Sequence, residues 1–152
     1  MLKRIDHTNI VVVDLEAMTR FYSEVLGLKP IKRASIDGPW VDQLVGLTSV
    51  AADVVYLEAP DGSRVELIRF RQPRTVRPPQ LEQANTPGLR HMAFRVDDID
   101  GMAAELKTQG VKLLSDVQNV PDAQVTYEGG ARKRLVYFHD PEGNLLEFCE
   151  YK

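Results

Sequence analysis

The chain has 152 residues, 43% hydrophobic and 27% charged, with a formal net charge of −3. That composition argues against disorder, the length suits one domain or two small modules sharing a core, and the acidic balance excludes a nucleic-acid or acidic-membrane surface built on bulk charge. The lone cysteine, Cys149, excludes an internal disulfide, and the longest apolar run near the N-terminus, residues 10–13, is too short for a signal segment or a membrane span, so a soluble cytoplasmic protein is expected.

The first predicted element is a strand over residues 5–13. Asp14 then stands where an N-cap belongs. Leu15, Met18, Phe21, Tyr22, Val25 and Leu26 recur at helical spacing, which predicts a helix over 14–26 closed by Gly27. Strands follow over 28–36, 50–58 and 64–70, and residues 35–49, with Gly38-Pro39-Trp40, are expected to form a loop with one short helical turn beside a site. Residues 71–88 carry Pro73, Pro78, Pro79 and Pro87, which exclude regular helix or a central strand and predict a linker. Beyond it come a strand over 89–96, a helix over 99–109 capped by Asp98 and closed by Gly110, and strands over 111–115, 133–139 and 144–151. The expected organisation is one domain over 1–152, with modules at 1–70 and 89–152.

The two modules repeat each other, each reading βαβββ. In each copy a His is followed, after six residues, by an Asp and the helix: His7 and Asp14, His91 and Asp98. In each copy a Pro-acid-Gly turn is followed by a Glu four residues after the Gly, in Pro60-Asp61-Gly62 with Glu66 and Pro141-Glu142-Gly143 with Glu147. The two His lie 84 residues apart and the two Glu 81.

Side chains alternate faces along a strand. Met92, Phe94 and Val96 form an apolar face suited to lie beneath a helix, and His91 points the other way. Leu146 and Phe148 face the helix, and Glu147 does not. Both His and both Glu can therefore share the face away from the helices. A carboxylate among apolar neighbours is costly unless paired or metal-bound. Two imidazoles and two carboxylates make a good set for a divalent ion, and the two negative charges balance its charge. A salt bridge from Arg64 or Arg95 to one of the Glu is the competing reading.

The residues that carry this pattern, Asp6-His7-Thr8, Asp14-Leu15 with Phe21-Tyr22 and Val25-Leu26-Gly27-Leu28, Val65-Glu66-Leu67, the run from Arg90 to Asp98 and the run from Asp140 to Phe148, resemble the vicinal oxygen chelate superfamily. That superfamily includes glyoxalase I, methylmalonyl-CoA epimerase, extradiol dioxygenases and the fosfomycin and bleomycin resistance proteins. The resemblance implies an α+β fold in which the paired modules form a cupped, mostly antiparallel eight-stranded sheet with helices outside. It places His7, Glu66, His91 and Glu147 on the metal-ligand positions of glyoxalase I, and a homodimer is expected by the same resemblance. The chain departs from bacterial glyoxalase I at Val11, where that family has an Arg for glutathione, and at Phe70, where it has an Asn.

A divalent ion on such a set leaves two positions for substrate oxygens and acts as a Lewis acid. The expected activity is that of a glyoxalase-type lyase or isomerase on a small molecule, with proton abstraction next to a carbonyl. Glu66 or Glu147 serves as base, and Zn, Ni, Co or Mn as the ion in preference to Fe(II). The alternatives are an acyl-CoA epimerase, an extradiol-type Fe(II) dioxygenase and a non-catalytic resistance-type binder. His139 is expected to cap or solvate a turn, and Arg69, Arg71, Arg74, Arg77 and Arg132-Lys133-Arg134 are read as solvated surface. Trp40 and Tyr127 are placed on loops.

Overall fold

In the computed structural model, which describes residues 1–152, each half of the chain builds its own four-stranded sheet. The chain divides into two units, Met1–Arg77 and Pro78–Lys152.

The first unit runs β1 (Thr8–Val11), α1 (Leu15–Arg20), β2 (Lys29–Asp37), α2 (Pro39–Val45), β3 (Ala51–Glu58) and β4 (Arg64–Gln72). Its sheet order is β1-β4-β3-β2, with β1 parallel to β4 and the other pairs antiparallel. The second unit runs β5 (His91–Arg95), α3 (Ile99–Thr108), β6 (Gln118–Asn119), β7 (Lys133–His139) and β8 (Leu145–Tyr151), in the order β5-β8-β7-β6. The repeat read from the sequence is thus a repeat of topology, and the α+β assignment holds, with antiparallel pairs in the majority. This order has a consequence for chemistry. In each unit the strand that begins at or just after the His pairs in parallel with the strand that carries the Glu.

The local signals act as read. Asp14 Oδ1 accepts the Ala17 amide and Asp98 Oδ1 the Gly101 amide, both at 3.0 Å. Gly27 and Gly110, at φ 77° and 78°, turn the chain out of the helices in a conformation that side chains resist. After α1, the residues Phe21–Val25 widen into a π turn in which Phe21 and Tyr22 are both buried. Helix α1 packs on β3 and β4 and buries Leu15 and Met18, the π turn after it buries Tyr22, and Val55, Leu57, Val65 and Leu67 share the helix-facing side of the sheet. Large side chains buried this fully contribute about 1.5–3 kcal/mol each. In the second unit α3 packs on β7 and β8, with Ile99 and Leu106 buried together with Val136, Phe138, Leu146 and Phe148.

Three segments differ from expectation. Residues 35–49 are not a loop with a single turn: β2 runs on to Asp37, and α2 is a seven-residue helix. Its Asp42 accepts the amides of Ser49 and Val50, and its Val41 is buried against Val50, Ala52, Val54 and Ile68. Only one inward residue anchors it, too little for a helical pattern to be visible. The strand expected over 111–115 is not formed. The Val111 amide is taken by Leu106 at the helix end, Leu113 makes one isolated bridge to Phe138, and the fourth strand is only β6. Finally, β4 continues to Gln72, directly before Pro73.

Candidate metal centre

In the first unit, parallel pairing sets Asn9 opposite Glu66, and antiparallel pairing sets Tyr56 opposite it on the other side. His7, just before β1, places Nε2 3.4 Å from Glu66 Oε2. Asn9 Nδ2 donates to the same oxygen at 2.6 Å. The Tyr56 phenol donates to Glu66, and this bond is the main cause that pushes its pKa up to about 12, with burial adding to it. The Tyr56 ring stands edge-on to His7, centroids 5.5 Å apart. Behind the imidazole, Asp6 Oδ2 lies 3.0 Å from His7 Nδ1. A carboxylate only accepts, so Nδ1 carries the hydrogen of this contact, which fixes the ring with Nε2 turned toward Glu66. The His7 hydrogen bond is also what chiefly holds the Asp6 carboxyl below its ordinary range, with Arg64 and Arg4 helping against burial.

The second unit repeats this frame. Ala93 and Tyr137 flank Glu147 in register. His91 Nε2 lies 3.2 Å from Glu147 Oε2, and the Tyr137 ring is 5.1 Å from that of His91. Burial first, then the charge of Glu147 and a hydrogen bond to it, raises the Tyr137 pKa. Here Glu147 is far more enclosed: its side chain is 3% exposed, against 15% for Glu66. Its other oxygen, Oε1, is 2.7 Å from Lys133 Nζ, an ion pair without hydrogen-bond alignment. Burial works against the charge on Lys133, but Glu147 outweighs it and leaves the Lys133 pKa raised.

Each predicted His is therefore brought to the predicted Glu of its own unit. Within neither unit does a group of three or more His, Cys, Asp or Glu gather in a position to hold an ion; each supplies one imidazole and one carboxylate. The arginines weighed as competitors go elsewhere. Arg64 pairs with Asp6, and Arg95 lies over the Tyr151 ring at 5.3 Å. The reading of Arg132-Lys133-Arg134 as solvated surface needs correction. Arg132 is exposed, but Lys133 and Arg134 have side chains only 17% and 23% exposed, and Arg134 pairs with Asp100 and Glu150. His139 Nε2 meets the Glu82 carbonyl oxygen at 3.1 Å, while the turn beside it is held by Asp140, which accepts the Glu142 and Asn144 amides. Tyr127 stands edge-on to Tyr151, and Trp40 is exposed on α2. Two clefts of the first unit, about 340 and 100 Å³, are lined by residues such as Arg33, Asp53, Arg69, Arg71 and Arg74 and by none of the four predicted ligands.

Asp6, Asn9, Tyr56, Tyr137 and Lys133 escaped the sequence reading. For the tyrosines a signal exists: Val55-Tyr56 and Val136-Tyr137 both lie ten residues, counted to the Tyr, before the Glu, so the repeat extends further than the His and Glu. Lys133 has no such signal, because the position 81 residues earlier is Ala52.

A duplicated βαβββ unit that carries one imidazole–carboxylate pair per copy defines the class to which this protein conforms. The model of the Glyoxalase/Bleomycin resistance protein/Dioxygenase superfamily matches residues 4–148, and the chain belongs to that superfamily. The crystal structure of a glyoxalase family protein from Bacillus cereus is 34% identical, with a TM-score of 0.83 over 99% of this chain and 95% of that one. A 2-epi-5-epi-valiolone epimerase from Actinomyces sp is 29% identical over 147 residues, covering 94% of this chain and 76% of its own. The mitochondrial methylmalonyl-CoA epimerase of Mus musculus is 25% identical over 148 residues, covering 96% of this chain and 72% of its own. No helix of the chain is long and apolar enough to cross a membrane.

Proposed function

We propose that the chain is a divalent-metal-dependent isomerase or lyase of glyoxalase type, in which His7, Glu66, His91 and Glu147 together hold one ion. The observation that carries this reading is the spacing within the two repeat-equivalent pairs, 3.4 Å for His7–Glu66 and 3.2 Å for His91–Glu147. A hydrogen bond between such groups centres on about 2.9 Å and extends to about 3.2 Å, so the first pair lies beyond that range and the second at its edge. Two donors bonded to one ion at about 2.0–2.2 Å, with angles between octahedral and tetrahedral, stand about 2.8–3.6 Å apart. The donor chemistry also fits: two neutral imidazole nitrogens and two carboxylates suit Zn, Ni, Co or Mn.

A divalent ion bound there supplies Lewis acidity toward a substrate oxygen. The protein's own groups do the rest. Glu66, the more exposed carboxylate with only neutral donors on it, takes the proton from the carbon next to the carbonyl, and the electron pair of that C–H bond moves into the carbonyl group. Asn9 and Tyr56 aim the carboxylate and lower the reorganisation it needs. Return of the same proton to the neighbouring carbon is isomerisation. Return of a proton to the opposite face of the original carbon is epimerisation. Two relatives named as epimerases favour the latter as a second reading. General-base help of this kind contributes about 10²–10⁴-fold. The active form in this reading is a homodimer acting on a small molecule.

The test is elemental analysis of the purified protein before and after chelation, with turnover of a methylglyoxal–thiol adduct and of an acyl-CoA epimer followed in parallel. One ion per four-residue set, and turnover lost on chelation and restored by the ion, is the expected result. A folded protein that binds no divalent ion sinks the proposal.

A further inference from the structure

The two glutamates differ in one respect that the duplication does not explain: a cation sits on one of them. Lys133 lies opposite Tyr151 in the β7–β8 register, four residues along the strand from Tyr137, the residue opposite Glu147. That offset is about 13 Å of strand. The two side chains therefore reach toward each other along the sheet, with the ammonium 5.7 Å from the Tyr151 ring centroid and 2.7 Å from Glu147 Oε1. Ordering so long a stem over such a reach has an entropic cost, and the return is the charge it sets against a carboxylate only 3% exposed. In the first unit the equivalent residue is Ala52, fully buried, and the group on Glu66 is the neutral Asn9.

We propose that Lys133 is a resident counter-cation that competes with a divalent ion for Glu147 and so weakens and tunes the affinity of the centre for its ion. The proposal rests on the reading that Glu147 is a ligand. Its logic is charge. Two carboxylates offer a net −2 to an ion, and Lys133 reduces that to −1 at a distance where the surrounding protein screens poorly. It also holds the Glu147 carboxylate in place when no ion is present, so the ligand is ready without the ion having to organise it. The expected outcome is an exchangeable ion rather than a permanently held one.

The test is the dissociation constant of Zn²⁺ and of Mn²⁺ for the full chain, measured by competition with a chromogenic chelator, together with thermal unfolding with and without the ion. Lys133→Met is expected to tighten both constants at least tenfold. It is also expected to lower the melting temperature of the ion-free protein, and to give a larger rise on adding the ion than the wild type shows. Lys133→Arg, which keeps the charge, should leave the constants within about threefold. Arg132→Met removes an exposed neighbouring charge and should change them less than twofold, which separates the contact from the general field. Should Lys133→Met fail to fold, Lys133→Gln carries the same comparison. Equal or weaker ion binding by the uncharged variants, in proteins whose wild type does bind the ion, overturns the role of Lys133 and leaves the metal reading standing. No ion binding by folded wild type and variants alike overturns both.

Discussion

Asn9 and Glu66 face each other across the parallel β1–β4 pair, and the amide nitrogen of one lies 2.6 Å from a carboxylate oxygen of the other. In the second unit the residue opposite Glu147 is Ala93, which offers nothing. The first-unit carboxylate is thus oriented by a neutral amide and the second by the ammonium of the half-buried Lys133. Removal of the amide in Asn9→Ala should free Glu66 to rotate. Groups that orient metal ligands typically matter by about 10–100-fold in affinity or activity. A loss in that range is expected in turnover, or in Zn²⁺ affinity by chelator competition, with the melting temperature nearly unchanged. Unaltered affinity and turnover would show that the contact is decorative.

The two carboxylates should separate in stability as well as in chemistry. Glu147→Gln leaves Lys133 beside a neutral amide in a site only 17% open at the lysine. Breaking one side of a buried pair is costly, and with that residual exposure about 2 kcal/mol is expected. That corresponds to a fall of about 4–8 °C in melting temperature for a chain of this size. Glu66→Gln keeps an acceptor for Asn9 and Tyr56 and should cost under about 1 kcal/mol. Differential scanning calorimetry of the ion-free proteins decides it; equal losses would mean that Lys133 finds another partner.

Acid should weaken the second unit through Glu150. Its residue exposure is 2%, and burial pushes its pKa up, but Lys152, the Ile99 amide and Arg134 more than offset this and hold the carboxyl below its ordinary 4.5. A carboxylate with a depressed folded pKa contributes stability above its unfolded pKa, and that contribution is lost as pH falls through the folded value. Between about pH 5 and pH 3 the wild type should therefore lose more stability than Glu150→Gln, and their melting temperatures should converge. Parallel curves by circular dichroism would contradict the assignment.

Gly101 offers a test of the α3 cap. Gly to Ala inside a helix ordinarily stabilises by about 0.5–1 kcal/mol. Here an added Cβ would run into the Asp98 carboxylate, which caps the helix through the Gly101 amide. Displacing a cap costs about 1 kcal/mol, so Gly101→Ala should be neutral to destabilising in the wild type. In an Asp98→Ala background the same change should stabilise. Urea unfolding of the four proteins gives the sign directly; stabilisation in both backgrounds would refute the clash.

Much of this molecule could be read along the chain because the signals are short-range. Asp14 and Asp98 cap the turns that follow them, Gly27 and Gly110 adopt the conformation only they accept cheaply, and alternation on β4 and β8 fixes which side of the sheet each Glu takes. Duplication doubled each of those signals, which is why His7, Glu66, His91 and Glu147 stood out and why each His meets the Glu of its own unit. What escaped was whatever depends on a partner far away in the chain or has no second copy. Helix α2 is held by one apolar residue and by Asp42 bonding back to Ser49 and Val50, and residues 111–115 had a strand's pattern but lost their amides to a helix end and to single bridges. Lys133 is the clearest case. Its type and neighbours describe a surface lysine, and only pairing of β7 with β8, which lays its stem along the sheet, brings its charge to Glu147. Local conformational preference and face alternation are properties of the sequence itself; which charge compensates which is decided by burial, and burial exists only once the strands have met.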